Sequence, residues 1–132
     1  MIVLDASAAV ELVAVGRPDP ALLDRVERGG SLHSPHLVDV EFLHVLRRLV
    51  RRRVLGLDRA TEARSDFDRL GIVRYPFFGL SDRIWQLRDN LTAYDASYVA
   101  LAEMLGCPLL TIDARIAKAS GHHADVEVYG QP

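Results

Sequence analysis

The chain has 132 residues, 49% of them hydrophobic and 26% charged, a formal net charge of −2 and a single cysteine, Cys107. That balance fits one folded domain over 1–132 and excludes a disulfide framework, a cysteine-ligated zinc site and a protein that grips duplex DNA by overall positive charge. No run approaches the roughly 18 apolar residues of a membrane helix, and Met1-Ile2-Val3-Leu4-Asp5 meets a carboxylate without a basic lead-in, so no membrane partner is expected and the reducing cytoplasm is the expected location.

In chain order, Ile2-Val3-Leu4 is a short apolar run that predicts a buried strand ending at Asp5. Residues 6–15 are helix-forming up to the Gly16-Arg17-Pro18-Asp19-Pro20 turn, and residues 21–28 predict a second helix stopped by Gly29-Gly30. Ser31-Leu32-His33-Ser34 predicts a brief strand before Pro35. A long helical pattern covers 37–53 and ends at Gly56; Asp58 is the expected N-cap of a helix reaching Leu70, with Gly71 as its stop. A third strand is expected over 72–75. Ser81 is the expected cap of a helix reaching about Asn90, and Thr92 of another over 93–105, stopped by Gly106. A fourth strand at 108–111, a short helix after Asp113 and a fifth strand at 126–129 complete the pattern. Short apolar strands alternating with helices predict an α/β fold with a parallel sheet covered on both faces. Function in such sheets gathers at the carboxyl ends of the strands.

Four acids stand out against that frame. Asp5 and Asp113 directly follow the first and fourth strands, and each also precedes a helix, where Asp is a favoured N-cap. Asp95 completes a Thr92-Ala93-Tyr94-Asp95 capping-box spacing, yet shares a helical stripe with Tyr98, Val99 and Ala102 that should face inward. Glu41 lies mid-helix beside Leu37, Val38, Phe42 and Val45, where no cap explains it; an ionised carboxylate there requires a partner, Arg48 or another arginine, or a metal ion. The only lysine, Lys118, is too isolated to neutralise four acids. Converging carboxylates with oxygen-only donors suit Mg²⁺ or Mn²⁺. Arg47, Arg48, Arg51, Arg52 and Arg53 form a separate basic stretch, readable as an RNA-phosphate footprint or as a solvated helix end. His122-His123 is expected in an exposed loop, and the histidines show no metal-binding spacing.

These segments resemble the PIN-domain ribonucleases of the VapC toxin family. Ile2-Val3-Leu4-Asp5-Ala6-Ser7-Ala8 is similar to the family's opening strand and Asp-x-Ser; Asp39-Val40-Glu41-Phe42-Leu43-His44-Val45-Leu46-Arg47-Arg48 to its second acidic segment; Leu91-Thr92-Ala93-Tyr94-Asp95-Ala96-Ser97-Tyr98-Val99-Ala100-Leu101-Ala102 to its third; and Pro108-Leu109-Leu110-Thr111-Ile112-Asp113-Ala114-Arg115 to its fourth. The resemblance implies a three-layer α/β/α sandwich around a parallel sheet of four or five strands. It implies a Mg²⁺ (or Mn²⁺) pocket in which Asp5, Asp95 and Asp113 hold the metal and Glu41 handles the attacking water. Ser7, and with it Thr111, would order Asp5, and Arg47, Arg48, Arg51 and Arg52 would meet RNA. It further implies an RNA substrate, a VapB-type antitoxin, a homodimer and a toxin–antitoxin hetero-oligomer. The apolar residues Val10, Leu12, Val13, Leu22, Leu23 and Val26 would receive the antitoxin, together with the face of the helix over 37–53, unless they are core.

Three other readings compete. A catalytically silent PIN-like RNA-binding module is disfavoured by the presence of all four acids. A phospho-receiver signalling domain needs paired acids after the first strand and a lysine near the last; Ala6 and Ser7 follow Asp5, and Lys118 lies in a helix. An aspartyl phosphatase needs a second Asp where Ser7 stands.

Overall fold

The computed structural model describes residues 1–130. Five strands, β1 (Ile2–Leu4), β2 (Leu32–Pro35), β3 (Val73–Tyr75), β4 (Leu109–Thr111) and β5 (Val126–Val128), form one sheet in the order β3-β2-β1-β4-β5, every neighbouring pair parallel. Ile2, Val3 and Leu4 are fully buried, as a continuous apolar run must be in a central strand covered on both faces. Val3 stands opposite His33 on one side and Leu109 on the other.

Among the described residues, seven helices cover the sheet: α1 (Ala6–Val13), α2 (Pro20–Arg28), α3 (Leu37–Arg51), α4 (Leu57–Arg69), α5 (Ser81–Gln86), α6 (Ala93–Leu105) and α7 (Ala114–Lys118). The result is the three-layer α/β/α sandwich the alternating pattern predicts. α1, α3 and α4 pack on one another, while α5 packs on α6 and α6 lies across β1, β2 and β4. Phe42 and Phe67 stack with centroids 4.0 Å apart and clamp α3 to α4. A two-pronged Arg74–Asp39 ion pair, at 2.7 and 2.8 Å, ties β3 to α3. Val10, Val13 and Leu22 are buried in the core, so most of the apolar surface of the first two helices is spent inside the molecule.

Several boundaries differ from the sequence reading. α3 stops at Arg51, not 53, and the chain reverses through Arg53 with φ 58°. Gly56 is therefore not the stop of α3; it is the extended N-cap of α4, and Asp58 sits inside the first turn, where its charge still suits the helix dipole. Ser81 does not cap a helix start, because a 3₁₀ turn (Phe77–Leu80) runs directly into α5; its hydroxyl donates back to Phe78 O at 3.2 Å. α5 ends at Gln86 rather than near Asn90. Pro35 belongs to β2, as its last residue, where its missing N–H costs no ladder bond in the strand interior. Among the described residues no helix is long and apolar enough to cross a membrane.

Candidate active site

The chain runs outward from β1 to β2 and β3, then returns to lay β4 on the opposite side of β1. The crevice between the carboxyl ends of β1 and β4 is thus the topological switch point of the sheet. Asp5 follows β1 directly and Asp113 comes two residues after β4, and the Asp5 amide donates to Leu110 O at 3.2 Å, which fixes its backbone to β4. Asp95 comes from the first turn of α6 and Glu41 from the second turn of α3.

Asp5 is 5% exposed and carries three hydrogen bonds, each donated to it. Oδ1 accepts from Ser7 Oγ at 2.7 Å and from the Ala8 amide at 2.9 Å, so the aspartate does cap α1. Oδ2 accepts from Thr111 Oγ1. Ser7 Oγ in turn accepts from the Ile112 amide at 3.1 Å, and Thr111 Oγ1 from the Asp113 amide at 2.9 Å. Both hydroxyls are therefore aligned by the backbone just after β4 before they reach Asp5. A carboxylate has about four lone-pair positions, so one on Oδ2 remains free. Burial nonetheless raises the Asp5 pKa to about 6, against the lowering effect of Thr111, Ala8 and Ser7, with nearby Asp95 adding to the rise.

Burial likewise pushes up the pKa of half-buried Asp95, and Asp113 adds to it. Burial pushes up Glu41 as well; its Tyr98 hydrogen bond opposes this and Asp95 reinforces it. Asp5 and Glu41 thus each sense the charge of Asp95, and Asp95 in turn senses that of Asp113. Asp113 behaves differently. Arg115 grips both of its oxygens, at 3.0 Å (Nε to Oδ1) and 2.7 Å (Nη2 to Oδ2), and holds its pKa below the usual carboxylate range. Asp113 also caps α7 by accepting from the Arg115 amide at 2.9 Å. Thr92 Oγ1 caps α6 by accepting from the Asp95 amide at 3.2 Å. The capping positions of Asp5 and Asp113 do not compete with a chemical role, since a cap occupies only part of the carboxylate.

Glu41 takes Tyr98 as its partner: the buried phenol donates to Oε1 at 2.6 Å, while Arg48 lies exposed on α3. Burial and the Glu41 charge push the phenol pKa far upward. Two residues given no role of their own in the sequence reading enter here. Tyr98 was legible only as part of the apolar stripe, because its partner is 57 residues away. Arg115 could have been found from its i+2 spacing to Asp113.

The donor set is all oxygen, three of the four acids have pKa values raised by burial and like charge, and among the described residues the cation gripping the group is Arg115, on Asp113. In kind, such a set fits a hard divalent cation. Among the described residues, no three acids or imidazoles are drawn together tightly enough to ligate one ion, and Asp113 is paired with Arg115. His122 accepts from the Ala124 amide at 3.2 Å and contacts Ile116 O, and His123 pairs with Glu103 at 3.0 Å, so both have partners away from the four acids. Arg47 and Arg51 lie toward the far end of α3; Arg51 is about 15 Å along the axis from Glu41. With Arg64 of α4 they rim an apolar channel of about 370 Å³ floored by Leu43, Val50 and Leu57.

A family model described as PIN domain matches residues 2–121. The chain is 49% identical over 117 residues to ribonuclease VapC9 of Mycobacterium tuberculosis (strain ATCC 25618 / H37Rv), covering 89% of each chain. It is 41% identical over 128 residues to ribonuclease VapC12 of the same strain, covering 97% of this chain and 98% of that one. Its fold is similar to the crystal structure of VapBC2 from Rickettsia felis, bound to a DNA fragment from their promoter, with a TM-score of 0.71 at 12% identity over 98% of this chain and 99% of that one.

Proposed function

The chain belongs to the PIN domain family, and on that premise we propose that it is a divalent-metal-dependent endoribonuclease, the toxin half of a VapBC-type pair. The observation that carries this reading is the gathering of Asp5, Glu41 and Asp113 around Asp95 at the sheet's switch point, with burial holding three of the four above their ordinary pKa. The names of the similar ribonucleases support RNA as substrate.

Asp5, Asp95 and Asp113 would hold Mg²⁺ or Mn²⁺, which when bound supplies Lewis-acid polarisation of the scissile phosphate and a more acidic water. Ser7 and Thr111 keep Asp5 oriented, and Asp113 exchanges Arg115 for the shared site. Glu41, with Oε1 engaged by Tyr98, would accept the proton of the attacking water or complete the metal's coordination through a water. In-line attack on phosphorus breaks the P–O3′ bond and leaves a 5′-phosphate, while the departing 3′-oxygen takes a proton from solvent to become the 3′-hydroxyl. Arg48 and Arg52, exposed at the end of α3, are available to RNA phosphate.

The test is incubation of purified chain with total RNA in Mg²⁺, Mn²⁺ or EDTA beside Asp95→Asn. Discrete fragments that require both the metal and Asp95 are expected, with a rate loss of about 10³-fold or more in the variant, the scale on which electrostatic groups at a reacting centre act. Folded, antitoxin-free protein that cuts nothing in either metal sinks the enzymatic reading and leaves an RNA-binding module.

The antitoxin is assigned to the channel between α3 and α4. Its lining includes the exposed apolar residues Leu57, 71%, and Leu43, 47%, together with Arg47, Arg51 and Arg64. Those surfaces fit an amphipathic segment with acidic flanks. Leu57→Asp is expected to weaken antitoxin binding about tenfold or more, as a charge placed at an apolar contact does, with RNA cleavage by the free protein unchanged. Calorimetry with the cognate antitoxin decides, and full affinity in the variant removes the channel from the interface. Phe78 and Trp85, 90% and 68% exposed, offer apolar surface for a second copy of the chain.

A further inference from the structure

We propose that Tyr98 is a positioning residue of this site, its hydroxyl holding the Glu41 carboxylate in place beside Asp95; the inference rests on the ribonuclease reading for its catalytic consequence. Glu41 reaches the site from α3 on a side chain with three rotatable bonds, and it is only half-buried, so solvent competes for its carboxylate. Ordering such a side chain costs rotamer freedom and needs a compensating contact. The phenol supplies it: Tyr98 is 2% exposed and its hydroxyl donates to Oε1 at 2.6 Å, within the range of a charge-assisted O–H···O⁻ bond.

The placement of this donor is specific. Tyr98 lies three residues after Asp95 on α6, one helical turn further along the same face. One rigid helix therefore carries both Asp95 and the group that sets the position of Glu41, although Glu41 belongs to a different helix. The Ala6 amide, at the start of α1 and next to Asp5, also lies beside the Tyr98 hydroxyl. The phenol thus sits where the segments bearing Asp5, Glu41 and Asp95 meet. The phenol fills one lone-pair position on Oε1 and leaves Oε2 without a protein donor among the described hydrogen bonds.

Tyr98→Phe keeps the buried ring and removes only the hydroxyl, so the variant is expected to fold. The experiment is a double-mutant cycle with Glu41→Gln on the full chain, reading kcat and KM on an RNA substrate and, separately, the dissociation constant for Mn²⁺ by calorimetry. Tyr98→Phe is expected to lower kcat about tenfold, the scale on which partners that orient a metal site act, with KM within about twofold and a measurable loss of Mn²⁺ affinity. A loss in either readout that vanishes when Glu41 is already Gln supports positioning through Glu41. Wild-type kcat and Mn²⁺ affinity in Tyr98→Phe overturn it, as does an equal loss in the Glu41→Gln background, which makes the hydroxyl a packing group. If the wild-type chain cuts no RNA, the ribonuclease reading falls on its own, and the Mn²⁺ cycle still decides Tyr98.

Discussion

Asp5→Asn is expected to abolish RNA cleavage and, in the same protein, to raise the stability of the metal-free fold at pH 7.5. The two effects share one cause. Asp5 is 5% exposed and its pKa stands at about 6 against an ordinary 3.8, with burial the largest contribution. A carboxylate raised in this way binds its proton more tightly folded than unfolded, so the folded state is penalised when the proton leaves. The penalty is absent below about pH 4, grows as pH rises through 6 and is complete above it, reaching about 3 kcal/mol. Asparagine removes the charge but has to reorganise the Thr111 hydroxyl, which now donates to Oδ2. A net gain of about 1–2 kcal/mol at pH 7.5, fading by pH 4, is therefore expected after the lost charge-assisted bonds are counted. Thermal unfolding in EDTA at both pH values measures it. Saturating Mn²⁺ should then stabilise the wild type and have little effect on the variant, because ligand binding to the folded state alone raises stability. An Asp5→Asn protein less stable than wild type at pH 7.5 in EDTA would show that Asp5 is held for the fold and not against it.

Phe42→Ala is expected to cost about 3–5 kcal/mol, the usual range for removing a buried aromatic ring. Phe42 has no exposed surface, and its ring stacks on Phe67 at 4.0 Å with an interplanar angle of 10°. That stack joins α3 to α4, and α4 has few other large buried side chains, its remaining buried residues being Ala60 and Ala63. Such a loss is a large part of the about 5–15 kcal/mol available to a domain. Because Glu41 precedes Phe42 in the chain, α3 should also lose its set position, and cleavage should fall even at temperatures where the variant is folded. Urea denaturation gives the first quantity; a midpoint within experimental error of wild type would mean that the two helices are held by something other than this stack.

The elements that could be read in advance were those whose signals are local. Ile2-Val3-Leu4 announces a buried strand, Thr92 does cap α6, and Gly106 does stop it at φ 63°. Asp5 and Asp113 could be placed at strand ends because strand and cap are written within a few residues of each. Where two local signals competed, the reading slipped: Gly56 and Asp58 both resemble helix punctuation, and only the reversal at Arg53 decides that the glycine takes the cap.

The sequence by itself determined the α/β alternation, the four acids and their attachment to strand ends and helix turns, because periodicity and capping act over three or four residues. The tertiary structure decided that β4 lies against β1, and with it that Asp5 and Asp113 share one crevice. It decided that Thr111 reaches Asp5 across 106 residues, that Tyr98 and not Arg48 answers Glu41, and that Arg47 and Arg51 rim an apolar channel. These are contacts between segments far apart in the chain. Their partners are set by the order in which strands pair and helices pack, and no residue-to-residue spacing encodes that order.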